Sequence, residues 1–253
     1  MTPAERRKKI IELIDNSGGA LSINELVNLL NVSHMTIRRD LRLLEKQNLV
    51  SSMSAGVLIS KKIHSEPSHT AKEIMNAPQK DSIGKAASEL ITPNSCIYLD
   101  AGTASLALAR HIYDRDDLTI VTNDFEVVNY LVDKTKSALI HVGGQIRKDN
   151  RSSVGPLATK IIKSLSIDIA FLSASSWDTE NVTTPDIEKV MVKQVVIESS
   201  IHKILISDSS KFAKVATFKA FSLDFIDKII TDKGLPVQAQ KALERKEIDL
   251  ILV

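Results

Sequence analysis

Two groups of residues in this chain have the types and the spacing to do chemistry. The first lies in residues 31–47, NVSHMTIRRDLRLLEKQ. Wound as an α-helix with Ile37 at zero, Met35, Arg38, Arg39, Arg42 and Lys46 fall at roughly 100–200° around the axis. Ile37, Leu41 and Leu44 share the opposite face. An arc holding three arginines, with Asp40 off to one side, suits the phosphates and base edges of duplex DNA. Arginine can make two hydrogen bonds to guanine, and Ser, Thr or His can make single contacts. Ser33, His34, Met35, Thr36, Arg38, Arg39 and Arg42 are the candidate DNA-binding residues. A helical hairpin whose arginines are merely solvated is the alternative.

The second group punctuates a series of apolar runs. Residues 96–99 end in Asp100-Ala101-Gly102-Thr103-Ala104-Ser105, and residues 118–121 end in Thr122-Asn123-Asp124. Residues 139–142 end in Gly143-Gly144-Gln145-Ile146-Arg147, and the run at 204–206 leads to Asp208-Ser209-Ser210-Lys211-Phe212. Gly102 permits close backbone approach, Thr103 and Ser105 offer hydroxyls, and a following helix N-terminus favours an anion. Arg147 and Lys211 would hold negative charge while Asp100 and Asn123 read hydroxyls. Each residue alone has a plain role as a cap, a turn or a solvated cation. Brought to one edge of one sheet, Asp100, Gly102, Thr103, Thr122, Asn123, Gly143, Gly144, Arg147 and Lys211 describe a pocket for a small phosphorylated, hydroxyl-rich molecule. The sequence offers no nucleophile–base pair, no metal-ligand cluster and no G-x-G-x-x-G, so no catalytic residue, cofactor or metal is expected. His64 and His69, five apart with no nearby Cys, do not make a metal site. A proton shuttle by Asp100 or Glu188 beside Lys211, as in a sugar-phosphate isomerase, is the rival chemistry. A third reading has a vestigial pocket in a protein that only bridges DNA.

These residues need elements to position them. Residues 3–15 form a first helix, with Thr2 as N-cap, Pro3 at its first position and Glu5 completing a capping box. Gly18-Gly19 stop it. Ser22 and Glu25 make a second capping box for a helix to Leu30, with Leu26, Leu29 and Leu30 facing inward. Ser33 caps the arginine-bearing helix. Two β-prone runs in 49–59 flank a small-residue turn and read as a hairpin, so the head is a winged helix-turn-helix. Its second helix enters the major groove. Residues 61–77 are polar and read as a linker, with a helix possible from Ser68, and 80–91 form a helix. Beyond Ser95, short strands alternate with helices near 105–112, 125–132, 157–165, 188–200 and 237–245. Strands apolar on both faces that alternate with helices make a mostly parallel sheet covered on both sides, and ligands bind outside the carboxyl ends of its strands. The fold class is thus α/β. The expected domains are a winged helix-turn-helix at 1–60, a linker at 61–77 and an effector domain at 78–253.

A chain of 253 residues, 43% hydrophobic and 25% charged, accommodates a small domain plus a larger one. Up to Lys62 there are ten Lys/Arg against six Asp/Glu, a net +4; the rest carries 23 against 25, a net −2. A basic head on a mildly acidic body suits a DNA-binding unit attached to something else. There is one cysteine, Cys96, in an apolar run, so no internal disulfide forms. No apolar window approaches a membrane span, and the N-terminus lacks a signal-peptide core. A cytoplasmic location is expected.

The chain resembles, end to end, bacterial transcription regulators of the DeoR family. The head carries the motif at Val32-Ser33, at 36–41 (TIRRDL) and at Leu44. The body carries it at 97–103 (family form I-x-L-D-x-G-T-T), at Val121-Thr122-Asn123, Gly143-Gly144, Val154-Gly155 and Asp208-x-Ser210-Lys211-Phe212. The resemblance implies a sugar-phosphate-sensing domain related in fold to ribose-phosphate isomerase and coenzyme A transferase domains. It also implies a homo-oligomer, dimer or tetramer, usually a repressor, whose affinity for double-stranded operator DNA changes with a phosphorylated sugar or sugar-acid effector. Residues 31–41, 66–69 (EPSH) and 173–177 (SASSW) look closest to regulators set beside genes for four-carbon acid sugars. The chain departs from the pattern at Ala104, where the family has a second threonine. It departs also in a wing lacking the usual Arg and Gly-Gly, and at Pro78-Gln79, where an acidic residue is usual.

Overall fold

The computed structural model describes all residues except 18, 19, 48, 54, 55 and 60; at 20, 51–53, 58, 59 and 61 only the backbone is described. The expected Gly18-Gly19 stop and the turn of the wing at 54–55 lie outside the described residues.

The head follows from its caps. Thr2 accepts from the Glu5 N–H at 3.2 Å and donates its own N–H to the Glu5 carboxylate at 2.8 Å, starting α1 (Pro3–Asn16). After β1 (Ala20–Leu21), Ser22 and Glu25 repeat the reciprocal box at 3.1 and 2.7 Å for α2 (Ile23–Leu30). Asn31 turns the chain with a left-handed φ of 51°, and Ser33 caps α3 (His34–Lys46). The wing is the antiparallel pair β2 (Val50–Met53) and β3 (Gly56–Ile59), with β1 on the other side of β3. Ile10, Ile14, Leu26, Ile37, Leu41 and Leu44 form the core between them. Leu29 is a correction: it is 59% exposed, because α2 buries only the narrow i, i+4 stripe of Leu26 and Leu30. Asp40 is the other surprise. It is buried on α3 and takes Arg6 at 2.5 Å and Arg7 at 3.4 Å, both from α1.

The segment read as a linker is ordered onto the body. It contains β4 (Lys61–Ile63) and, after the Ser68 cap, α4 (His69–Ile74). There follow α5 (Ala77–Ser88), β5 (Cys96–Leu99), α6 (Thr103–Ala109), β6 (Thr119–Thr122), α7 (Phe125–Leu131) and β7 (Ala138–His141). A hairpin of β8 (Gln145–Arg147) and β9 (Ser152–Val154) leads to α8 (Pro156–Lys163) and β10 (Ile167–Leu172). Then come β11 (Ser176–Trp177), β12 (Asn181–Thr184), α9 (Ile187–Glu198), β13 (Ser200–Ile206), β14 (Lys214–Ala216) and β15 (Phe218–Ser222). β16 (Lys228–Thr231), α10 (Val237–Glu244) and β17 (Asp249–Leu252) complete the body. β4 pairs in parallel with β14.

Seven parallel strands form the central sheet in the order β17-β16-β13-β10-β5-β6-β7. Alternate residues feed two cores: Ile97, Leu99 and Phe171 on one face, Tyr98, Ala170 and Leu172 on the other. The short antiparallel pieces β8–β9 and β11-β12-β15 were not evident in the sequence, where their polar residues read as loop. One contact fixes the geometry of the site on the body. At Gly84 on α5, a Cβ would lie 2.7 Å from the Ala107 carbonyl carbon and the Leu108 nitrogen on α6. The two helices therefore touch backbone to backbone. Lys80, one turn earlier on α5, is thereby laid over the start of α6.

Candidate functional sites

On the head, α3 turns His34, Met35, Arg38, Arg39 and Arg42 to solvent, with Met35 78% exposed and Thr36 half-buried. Among the described residues none of Arg38, Arg39 and Arg42 is ion-paired. Asp40, which could have neutralised them, is held by Arg6 and Arg7 on the inner side. The result is an exposed cationic face on a helix whose inner face is locked. Ser33 serves the helix start, since its hydroxyl accepts from the Thr36 N–H at 3.2 Å and lies 2.9 Å from the Thr36 hydroxyl.

On the body, a polar basin opens at the carboxyl ends of β5, β6, β10 and β13, four neighbours in the sheet. Asp100, Gly102, Thr103, Asn123 and Lys211, all expected from the sequence, line it. Asp100 is buried, and its Oδ2 accepts from the Ser173 N–H and hydroxyl at 2.9 Å each and from Lys193. Lys193 also donates to the Ser173 carbonyl at 2.6 Å. The Asn123 side chain donates to the Ser153 carbonyl at 3.0 Å, and its buried Oδ1 has no partner among the described residues. Lys211 follows Asp208 in a short 3-10 turn, and no described carboxylate pairs with it.

Four expected residues are placed elsewhere. Thr122 is buried beneath the basin, donating to the Leu99 carbonyl at 2.7 Å and accepting from the Asp124 N–H at 3.0 Å. Gly143 and Gly144 make the turn into β8 with φ of 64° and 116°. A Cβ on Gly144 would meet the Val154 carbonyl at 2.5 Å, so glycine serves the packing of that turn. Arg147 is tied to Asp186 and Glu188 at 2.9 Å each, outside the basin. Glu188 goes with it and does not line the basin that holds Lys211.

Four of the basin's five lysines, and Glu66, were missed. Lys80 donates to Thr103 Oγ1 at 3.2 Å and to the carbonyls of Lys72 and Glu73. Burial disfavours its ammonium, and its pKa falls to about 8. Lys72 and Lys189 grip Glu66 from two sides at 2.7 Å each. Burial alone would push the Glu66 carboxyl up, but the two ammonium groups hold it well below the usual carboxylate range. Burial lowers Lys72 in turn. These lysines sit in helices, where sequence reads lysine as solvated face. The one signal was the i, i+4 spacing of Lys189 and Lys193 on α9.

Below the basin, buried Asp124 caps α7 through the Glu126 and Val127 N–H groups (2.7 and 3.1 Å) and accepts from the Gly102 N–H at 2.8 Å. Desolvation raises its pKa to about 7, against those three donors. His69 of α4 stands 3.8 Å away, also buried, and burial lowers its pKa. Among the described residues no cluster of three or more His, Cys, Asp or Glu could hold a metal ion, and no helix is long and apolar enough to cross a membrane.

Comparison with known proteins agrees with this two-part layout. Residues 6–62 match the model of the DeoR-like helix-turn-helix domain, and residues 75–233 that of the DeoR C terminal sensor domain. A Haemophilus influenzae protein named as an uncharacterized HTH-type transcriptional regulator is 46% identical, over 100% of this chain and 98% of its own length. The glycerol-3-phosphate regulon repressor of Escherichia coli is 31% identical over 100% of both chains. Among solved structures, ribose 5-phosphate isomerase A from Methanocaldococcus jannaschii is similar over 54% of this chain and 55% of its own, at 17% identity and a TM-score of 0.40. Head and sensor matches together span most of the chain, and the full-length relatives are named as transcriptional regulators rather than enzymes: the chain belongs to the DeoR family of helix-turn-helix transcriptional regulators.

Proposed function

We propose that this regulator represses a carbohydrate or sugar-acid catabolic operon and is controlled by a small phosphorylated sugar-like effector bound in the basin of the body. The observation that carries this reading is the basin's charge. Five lysines (72, 80, 189, 193 and 211) converge on it against three carboxylates, Glu66, Asp100 and Asp208. Lys80 and Lys211 suit a phosphate beside Thr103. The three donors to Asp100 all meet Oδ2, leaving Oδ1 for an effector hydroxyl, and the unpartnered Asn123 oxygen accepts another. Arg38, Arg39 and Arg42 hold double-stranded operator DNA, with His34, Met35 and Thr36 at its base edges. The domains divide as a DNA-binding head at 1–60, a connector at 61–77 that is seated on the body, and an effector domain at 78–253. Two half-sites on an operator call for a homo-oligomer, dimer or tetramer, working in the cytoplasm where its DNA lies.

The isomerase reading has nothing comparable behind it. Asp100 is clamped by Lys193 and Ser173, and Glu188 is spent on Arg147 outside the basin. The test is binding of the full-length protein to DNA from upstream of its own and neighbouring genes, with and without a panel of phosphorylated sugars and sugar acids. Selective binding that one compound weakens supports the proposal. Turnover of a panel member, with no selective DNA binding, refutes it.

A further inference from the structure

Glu66 lies in the connector, three residues past β4, yet its carboxylate is inside the basin. Oε1 accepts from Lys189 at 2.7 Å and from the Ser175 hydroxyl at 2.5 Å, and Oε2 accepts from Lys72 at 2.7 Å. The two lysines come from α4 and α9, and their side chains are only 10% and 13% exposed. Without the carboxylate, two nearly buried ammonium groups would face each other across one gap, which is an anion site. The other two carboxylates of the basin are held on the sheet's own strand ends: Asp100 by Lys193 and Ser173, Asp208 by Asn76 at 2.9 Å and by Ser210. Glu66 instead stands in residues 64–67, which belong to no helix or strand.

We propose that Glu66 is a tethered competitor for the effector: its carboxylate occupies the Lys72–Lys189 subsite until an anionic group of the effector takes that subsite and displaces it. The inference rests on the basin being the effector site. It supplies the two states that regulation requires, since an effector shifts an equilibrium only by binding one state better than the other. With Glu66 in, the basin carries two positive charges in excess; with Glu66 out, it carries three. The displacement has a route to the DNA. β4 is joined to Glu66 along the chain, is paired with β14 just beyond Lys211, and is separated from wing strand β3 by residue 60 alone. Glu66 and Lys211 thus connect along the chain to the paired strands β4 and β14, and β4 leads into the head.

The test titrates full-length wild type and Glu66→Gln with inorganic phosphate by calorimetry at fixed ionic strength, up to concentrations that fill both the Thr103 subsite and the Lys72–Lys189 subsite. It also follows hydrogen exchange of residues 61–67 in wild type with and without phosphate. The amide keeps the side chain's shape and removes its charge, so Glu66→Gln should bind phosphate at least about tenfold more tightly. Exchange at 61–67 should quicken in wild type when phosphate binds, a result that needs no variant. Phosphate binding with no gain in Glu66→Gln, or with exchange at 61–67 unchanged, overturns the role of Glu66 and leaves the basin reading in place. If neither folded protein binds phosphate, the anion basin falls and the proposal with it.

Discussion

Lys193→Met should unsettle the basin by removing the ammonium that compensates Asp100. Lys193 is 4% exposed and Asp100 is 2% exposed, and the ion pair is direct. Methionine fills most of the same volume, so the loss is electrical rather than a cavity. Removing one partner of a buried ion pair costs about 3–5 kcal/mol. The two Ser173 donors to Asp100 exist already and offset nothing new, but the basin admits water on one side, which brings the figure down to about 2–3 kcal/mol. A unit of this size loses ~2–4 °C per kcal/mol, so the midpoint should fall by about 4–12 °C. Trp177 is the single tryptophan and is fully buried in the body, so its fluorescence during heating reports the body without the head. The double variant Asp100→Asn with Lys193→Met removes both charges and should recover most of the loss, since replacing both members of a buried pair is often near neutral. A single variant within about 1 °C of wild type, or a double variant no better than the single, would refute the reasoning.

Three further outcomes follow from the same geometry. Lys80 titrates near 8, so phosphate affinity should fall as pH rises through about 8, by at most about tenfold per unit, and the fall should be absent in Lys80→Met. Its effect on stability has the opposite sign. The unfolded chain keeps this lysine protonated up to about 10.5, so between the two values the unfolded state binds more protons and the fold gains stability with rising pH. Asp40→Ala should destabilise the head by about 1–3 kcal/mol, because Arg6 and Arg7 lose their partner but can turn to solvent. Amide exchange in α1 and α3 would show it, and unchanged exchange in both helices would count against the pairing. Alanine at Arg38, Arg39 or Arg42 should sort the three. A phosphate contact flattens the salt slope by about one unit on any DNA, whereas a base contact costs roughly 1–3 kcal/mol on the operator alone. If all three variants bind like wild type, the face is misassigned.

Much of this protein was legible in its sequence, and the parts that were not share a cause. Local rules carried the head: reciprocal capping boxes at Thr2–Glu5 and Ser22–Glu25 set the helix starts, and the Ile37, Leu41, Leu44 stripe set the face. Leu29 broke the pattern because a short helix against two others has room to bury only one stripe. The seven-stranded sheet was visible as apolar runs. Asp100, Gly102, Thr103, Asn123 and Lys211 were visible as polar breaks after them. What local rules could not show was which distant elements lean over the basin. Glu66, Lys72, Lys80, Lys189 and Lys193 reach it from the connector, α4, α5 and α9, and each looks solvated in its own window. Arg147 erred the other way: near a strand end it looked like an anion holder, but Asp186 and Glu188, some 40 residues on, claim it. Ion pairing across the fold, not residue type, decided these positions.

The most direct test of the central claim is a binding titration of the full-length regulator against DNA from upstream of its own and neighbouring genes. It is run at two salt concentrations and repeated with phosphorylated sugars and sugar acids. Tight, sequence-selective binding is expected that weakens with salt and that one phosphorylated compound relieves in wild type but not in a Lys80→Met, Lys211→Met double variant. Selective binding relieved equally in the double variant would place the effector outside the basin and contradict the account.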